Sequence, residues 1–218
     1  MNKKTDSLTE PEPSIDTEKL LLERLKNSST AEDYFRWMLF VVGYYRGIKR
    51  CDAAVELLEN FIGGSKDAEQ RAHCHLALGQ IATDEACLDI ALKHFTAALE
   101  FSPDSRKIAY VLHNNMGYCL NQLGRFAEAE HHCRVAIGIE WTRASAFRNL
   151  GVSLQGQGMI IAAVWALVEA IKAESSDRRA RTILQTIVSA KPEVAIGNSW
   201  VLDYLHSDVR QIPDLPLM

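Results

Sequence analysis

Apolar residues recur along most of this chain at steps of three and four, the spacing that lines one face of an α-helix. The pattern predicts a helix over Asp16–Lys26, carried by Leu20, Leu21, Leu22 and Leu25. Ser29 with Glu32 reads as a capping box that starts the next helix. Further on, Arg106–Leu123 reads as one long helix. Arg178–Ala190 repeats the period through Ile183, Leu184, Ile187 and Val188 and is ended by Pro192, and Asn198–His206 forms one more short helix. The flanks lack the pattern. Met1–Pro13 is polar with two prolines and is expected to be disordered, and Asp208–Met218 is expected to be a loose tail.

The same columns recur at a fixed period. With Gly79, Gly117 and Gly151 as anchors, Ala91, Ala129 and Ala163 lie 12 residues on, and Ala98, Ala136 and Ala170 lie 19 on. Phe95, Cys133 and Leu167 lie 16 on, and Leu78, Met116 and Leu150 precede the anchors. A fainter copy with Ala54, Leu58 and Phe61 places its anchor at Val42, so the anchors stand 37, 38 and 34 residues apart. These columns describe a helical hairpin. Small residues such as Gly79 and Ala91 let two backbones approach, and Phe95 fills the space toward the next hairpin. One hairpin cannot bury its apolar face alone, so the copies must stack. Gly124 and Gly158, seven residues past their anchors, are placed to end a helix in the left-handed conformation. Ser102-Pro103-Asp104 separates two copies, Ser105 and Thr142 are candidate N-caps, and the longer spacings add about one turn to the first helix of a hairpin.

At these residues the chain resembles the tetratricopeptide repeat, whose period is about 34 residues and whose pattern runs Leu-Gly, Ala, Phe, Ala, Pro. The second copy has Leu78-Gly79, Ala91, Phe95, Ala98 and Pro103. The third has Cys133 and Trp141 at the aromatic and proline positions, and the fourth has Leu167 and Ser175. The resemblance implies an all-α fold, a right-handed α-solenoid of antiparallel hairpins with capping helices. It divides the chain into a disordered segment over 1–15, an N-terminal helix and linker over 16–34 and an array over 35–177. The copies run 35–68 (degenerate), 72–105, 110–143 and 144–177, followed by a capping helix over 178–192 and a short helix and tail over 193–218.

In such an array the first helix of each pair lines a concave face. Helical arithmetic puts His73 and Gln80 of the second copy on it, with Asn114, Asn115, Tyr118, Asn121 and Gln122 of the third, and Arg148, Asn149 and Gln155 of the fourth. Asn115 and Asn149 hold the same register. An amide side chain both donates and accepts, so it can pair with a peptide backbone whatever the peptide's sequence. The strip therefore reads as a groove for an extended peptide, with Arg148 meeting an acidic group and Tyr118 an apolar side chain; the alternative is a solvated polar face. The family's other mode, a clamp for a terminal carboxylate, needs lysines that these positions lack.

Composition narrows the partner. The chain has 218 residues, 47% hydrophobic, and a formal charge of -4, which favours neither nucleic acid nor an anionic membrane surface. No apolar run follows Met1–Asp6 as a secretory signal requires, and none is long enough to span a bilayer, which predicts a cytoplasmic chain. Five cysteines with no Cys-x-x-Cys pair read as reduced core thiols. His73 and His75 point to opposite sides of a helix and cannot share a metal. His75 and His113 fall in the column of Phe147 and read as half-buried packing residues, and no metal or cofactor site is expected. No phosphate loop or nucleophile elbow is present, so no catalysis is expected. Trp37–Tyr45 is apolar all round, covered either by the Asp16–Lys26 helix or by a homodimer or partner interface. The leading function is a protein–protein interaction adaptor; the alternatives are a chaperone for a secreted or assembly-prone subunit and a homodimeric structural subunit.

Overall fold

The computed structural model describes residues 15–101 and 105–206, and every regular element among them is a helix. The expectations for Met1–Pro13, Ser102-Pro103-Asp104 and Asp208–Met218 lie outside the described residues. After α1 (Ile15–Lys26) come four antiparallel hairpins: α2 (Ala31–Gly47) with α3 (Cys51–Gly64), α4 (Ala68–Asp84) with α5 (Leu88–Glu100), α6 (Arg106–Gln122) with α7 (Phe126–Ile139), and α8 (Ala144–Gly156) with α9 (Ile160–Ala173). They are closed by α10 (Arg178–Ala190), α11 (Glu193–Ile196) and α12 (Trp200–His206). The fold is an all-α solenoid. We refer to the two helices of each hairpin as A and B.

The columns explain the hairpins. Ala91, Ala129, Ala163, Ala98, Ala136 and Ala170 are all fully buried, as are Phe95, Cys133 and Leu167. A Cβ on Gly79 would run into the Phe95 ring, one on Gly117 would lie 2.6 Å from Cys133 Sγ, and one on Gly151 would lie 2.7 Å from Leu167 Cγ. The large B-helix residue thus packs on the glycine of its own hairpin. Phe95 also reaches the next hairpin, sharing a core cluster with Leu112 and Met116 of α6. The extra turn goes where the spacing demands: α4 and α6 have 17 residues each, against 13 for α8.

All four A helices end alike. The residue seven past the anchor has positive φ in each: Lys49 (60°), Ala86 (59°), Gly124 (73°) and Gly158 (78°). The following amides, those of Arg50, Cys87, Arg125 and Met159, donate back five residues at 2.8–2.9 Å, closing a Schellman motif. The faint first copy shares this turn although Lys49 stands where glycine is expected.

Several local expectations are corrected. Thr30 rather than Ser29 caps α2, accepting from the Asp33 amide at 3.0 Å, so the cap sits one residue later and Glu32 falls at the second helical position. Thr142 caps nothing: its hydroxyl donates to Glu140 at 2.6 Å, and α8 starts after Arg143 without a side-chain cap. Pro192 ends α10 but also opens α11, which the periodicity is too short to reveal. Cys74, Cys119 and Cys133 are core thiols, whereas Cys51 is half-buried and Cys87 is exposed.

The apolar α2 is covered by α1. Leu21 and Leu25 join Met38, Val41 and Tyr45 in one cluster, and Glu18 accepts from the Tyr45 hydroxyl at 3.1 Å and from Arg50 at 2.6 Å. Phe40 stays 57% exposed, its ring 5.4 Å from that of Trp37. Among the described residues no helix is long and apolar enough to cross a membrane.

Candidate peptide-binding groove

Helix contacts fix the curvature. Helix α4 meets α6 and α6 meets α8, whereas successive B helices make no comparable contact, so the array bends toward its A helices and these line the inner face. The sequence-predicted residues lie on this face, but packing uses several of them.

Asn149 is buried and donates through Nδ2 to the backbone carbonyl and Oδ1 of Asn114, at 3.3 and 3.1 Å. Asn121, also buried, donates to the Asn149 carbonyl at 2.8 Å, and its Oδ1 accepts from the Ser153 hydroxyl at 2.8 Å. These amides satisfy one another, as buried polar groups must, and they tie α6 to α8. Arg148 is held by Asp177, whose buried carboxylate also caps α10 through the Ala180 amide at 3.0 Å. The guanidinium expected to meet an acidic ligand therefore anchors the capping helix. At the other end Arg46 pairs with Asp84 and donates to Gln80 Oε1 at 2.9 Å.

What remains open divides in two. Near the N-terminal end, Leu39, Val42 and Gly43 of α2 face His73 and Ala77 of α4 across a groove of about 200 Å³. The register of Leu39, Phe40 and Gly43 relative to Val42 is that of Asn114, Asn115 and Tyr118 relative to Gly117, so the offsets applied to the first copy would have found them. His73 lines this groove with its ring edge-on to Phe35, 5.9 Å between centroids; desolvation lowers its pKa against a smaller opposing pull from Glu69. Toward the C-terminal end, Tyr118 and Gln122 are exposed, and Asn114, Asn115 and Gln155 are half-buried. The inner face thus offers an apolar part bordered by Arg46 and Gln80 and a separate amide-and-aromatic part. Among the described residues no three His, Cys, Asp or Glu side chains cluster so as to hold a metal.

No protein-family profile matches the chain. Two uncharacterized TPR repeat-containing proteins of Arabidopsis thaliana are 27% and 26% identical to it over 115 residues. That stretch is 49% of this chain but 14% of each relative, so the chain spans only a small part of their length. Among solved structures, MamA superposes with a TM-score of 0.61 at 16% identity, covering 76% of this chain and 90% of that one. The Arabidopsis OM64 TPR domain gives 0.52 at 16%, covering 57% and 99%. The first TPR of Spaghetti (RPAP3) gives 0.51 at 20%, covering 56% and 94%. At these identities the likeness is one of fold. Taken with the signature residues in three successive hairpins, it gives the chain the tetratricopeptide-repeat fold.

Proposed function

We propose that the chain is a non-catalytic adaptor that works in the cytoplasm and holds an extended segment of a protein partner along its inner face, with residues 35–177 as the binding unit. The observation that carries this reading is the set of side chains that stay exposed in the inner-face register: Phe40 of α2 and Tyr118 and Gln122 of α6. An apolar side chain of the partner packs at Phe40 and Ala77. The partner's backbone pairs with the Asn115 and Gln122 amides, and a second apolar group rests on Tyr118. The RPAP3 structure, of the same fold, is bound to the HSP90 peptide SRMEEVD, which supports a peptide as the occupant. A carboxylate clamp is disfavoured, because the groove register lacks lysine and both Arg46 and Arg148 are already paired within the chain.

The test is a pull-down from native lysate with the wild type, a Tyr118→Ala/Gln122→Ala variant and a B-helix control, Lys93→Ala. The reading predicts one partner captured by wild type and control and lost by the groove variant. Equal capture by all three moves the site off this face.

A further inference from the structure

Hairpins two and three each carry a histidine on the A helix that meets a histidine on the B helix. His75 Nδ1 lies 3.3 Å from His94 Nδ1, and His113 Nδ1 lies 2.9 Å from His132 Nδ1. Both pairs occupy one register, four residues before the anchor glycine and fifteen after it. The fourth hairpin fills those positions with Phe147 and Ala166, both in its apolar core. Histidine thus replaces a greasy contact twice, and both times it replaces both partners.

The rings meet nearly head-on. Their centroids are 5.5 and 5.2 Å apart, longer than the nitrogen separations by about twice the centroid-to-nitrogen distance. The two Nδ1 atoms of a pair therefore point at each other. They do not converge on a third point as two ligands of a metal ion would. Such a contact is stable only with one proton between the nitrogens, one ring donating N–H and the other accepting. Two lone pairs face to face repel, and so do two N–H groups.

We propose that the two pairs are proton-bridged clasps which hold A to B in the middle hairpins at neutral pH and open on acidification, when a second proton enters the bridge. A Phe–Ala contact has no such state, so the fourth hairpin, next to the capping helix, stays closed and the loosening is confined to the centre of the array.

The surroundings favour the singly bridged form. All four rings are half-buried. Desolvation is the largest influence on each and pushes its pKa down, in His132 to about 4. His94 and Arg71 oppose charging of His75, and Glu100 favours it; Glu59 favours charging of His94. His131 opposes charging of both His113 and His132, and Glu128 favours it at His132. His132 also borders a cleft beside Asp89, Lys93, Glu100, Arg125 and Glu128, through which solvent protons reach it.

With folded values lowered, the unfolded chain binds more protons below its ordinary histidine pKa of about 6.5. Stability is full above that pH and is lost as pH falls through it toward the folded values. The experiment follows thermal unfolding of the full chain in EDTA between about pH 7.5 and pH 4.5. The comparison is a variant carrying the fourth hairpin's residues at both pairs, His75→Phe, His94→Ala, His113→Phe and His132→Ala. The expected result is a melting temperature that falls with pH in the wild type and by less than half as much in the variant. Imidazole ¹⁵N spectra of the wild type, with His132→Gln as a milder second variant, read the bridge directly. One Nδ1 of each pair should carry a proton at neutral pH, and His132→Gln should abolish the shared-proton ¹⁵N signature of His113 while leaving that of the His75–His94 pair in place. The proposal is overturned if the variant keeps the wild-type pH profile, or if the four rings titrate independently near the ordinary value.

Discussion

The Phe95 ring occupies the space that a Cβ on Gly79 would need, and this is the contact that sets the A–B distance in the second hairpin. Gly79→Ala is therefore an overpacking change and should lower stability by about 1–3 kcal/mol. Gly43 is the control: it is exposed in α2, and an added Cβ would meet nothing within 4 Å. There alanine should raise stability by up to about 1 kcal/mol through helix propensity. Urea unfolding of the two variants checks the opposite signs.

The left-handed turn residue makes a second prediction. Lys49 and Ala86 adopt a φ that disfavours a side chain, while Gly124 and Gly158 adopt it freely. Ala86→Gly should stabilise by about 1 kcal/mol, and Gly124→Ala should destabilise by a similar amount. Calorimetric melts of the pair distinguish this account from one in which the turns tolerate any residue.

Arg148 and Asp177 provide a third. Arg148→Ala leaves the buried carboxylate at the start of α10 without its charged partner, and a cost on the order of 3 kcal/mol is expected. The loss should appear first as faster hydrogen exchange in α10, because the pair holds the cap and not the hairpins. The exposed Arg125–Glu128 pair is the comparison, and Arg125→Ala should leave the melt unchanged.

Asn149 separates support from binding. Its Nδ2 is committed to Asn114, so Asn149→Ala should destabilise by about 1–2 kcal/mol. Gln122, exposed on the same face, should be replaceable by alanine with no change in stability and a loss of partner capture. If Asn149→Ala leaves the melt unchanged, the α6–α8 amide network does not tie the helices as described.

The apolar columns made the solenoid legible, because burying Ala91, Phe95 and Ala98 against an anchor glycine leaves few other arrangements. The groove was legible only as a face. Helical arithmetic places Asn115, Tyr118, Asn121 and Asn149 on one side, but it cannot tell an amide aimed at solvent from one satisfied by the next A helix. Arg148 finds its partner 29 residues on, at the N-cap of the capping helix, where no periodic argument reaches. The histidine clasps left a faint signal: the columns four before and fifteen after the anchor change together, His with His and Phe with Ala. Helical arithmetic finds the A-helix member of each pair, in the packing column of Phe147, but not the B-helix histidine that meets it.

The central claim, that the inner face holds a partner segment, is tested most directly by photo-cross-linking. A benzoylphenylalanine replaces Tyr118 in one protein and Lys93 on the B-helix side in another, and both are irradiated in native lysate. The account predicts cross-links from position 118 that map to one short segment of a partner and are competed away by that segment as a peptide, with none from position 93. Cross-links to that partner from position 93, or adducts at 118 that no peptide displaces, would contradict it.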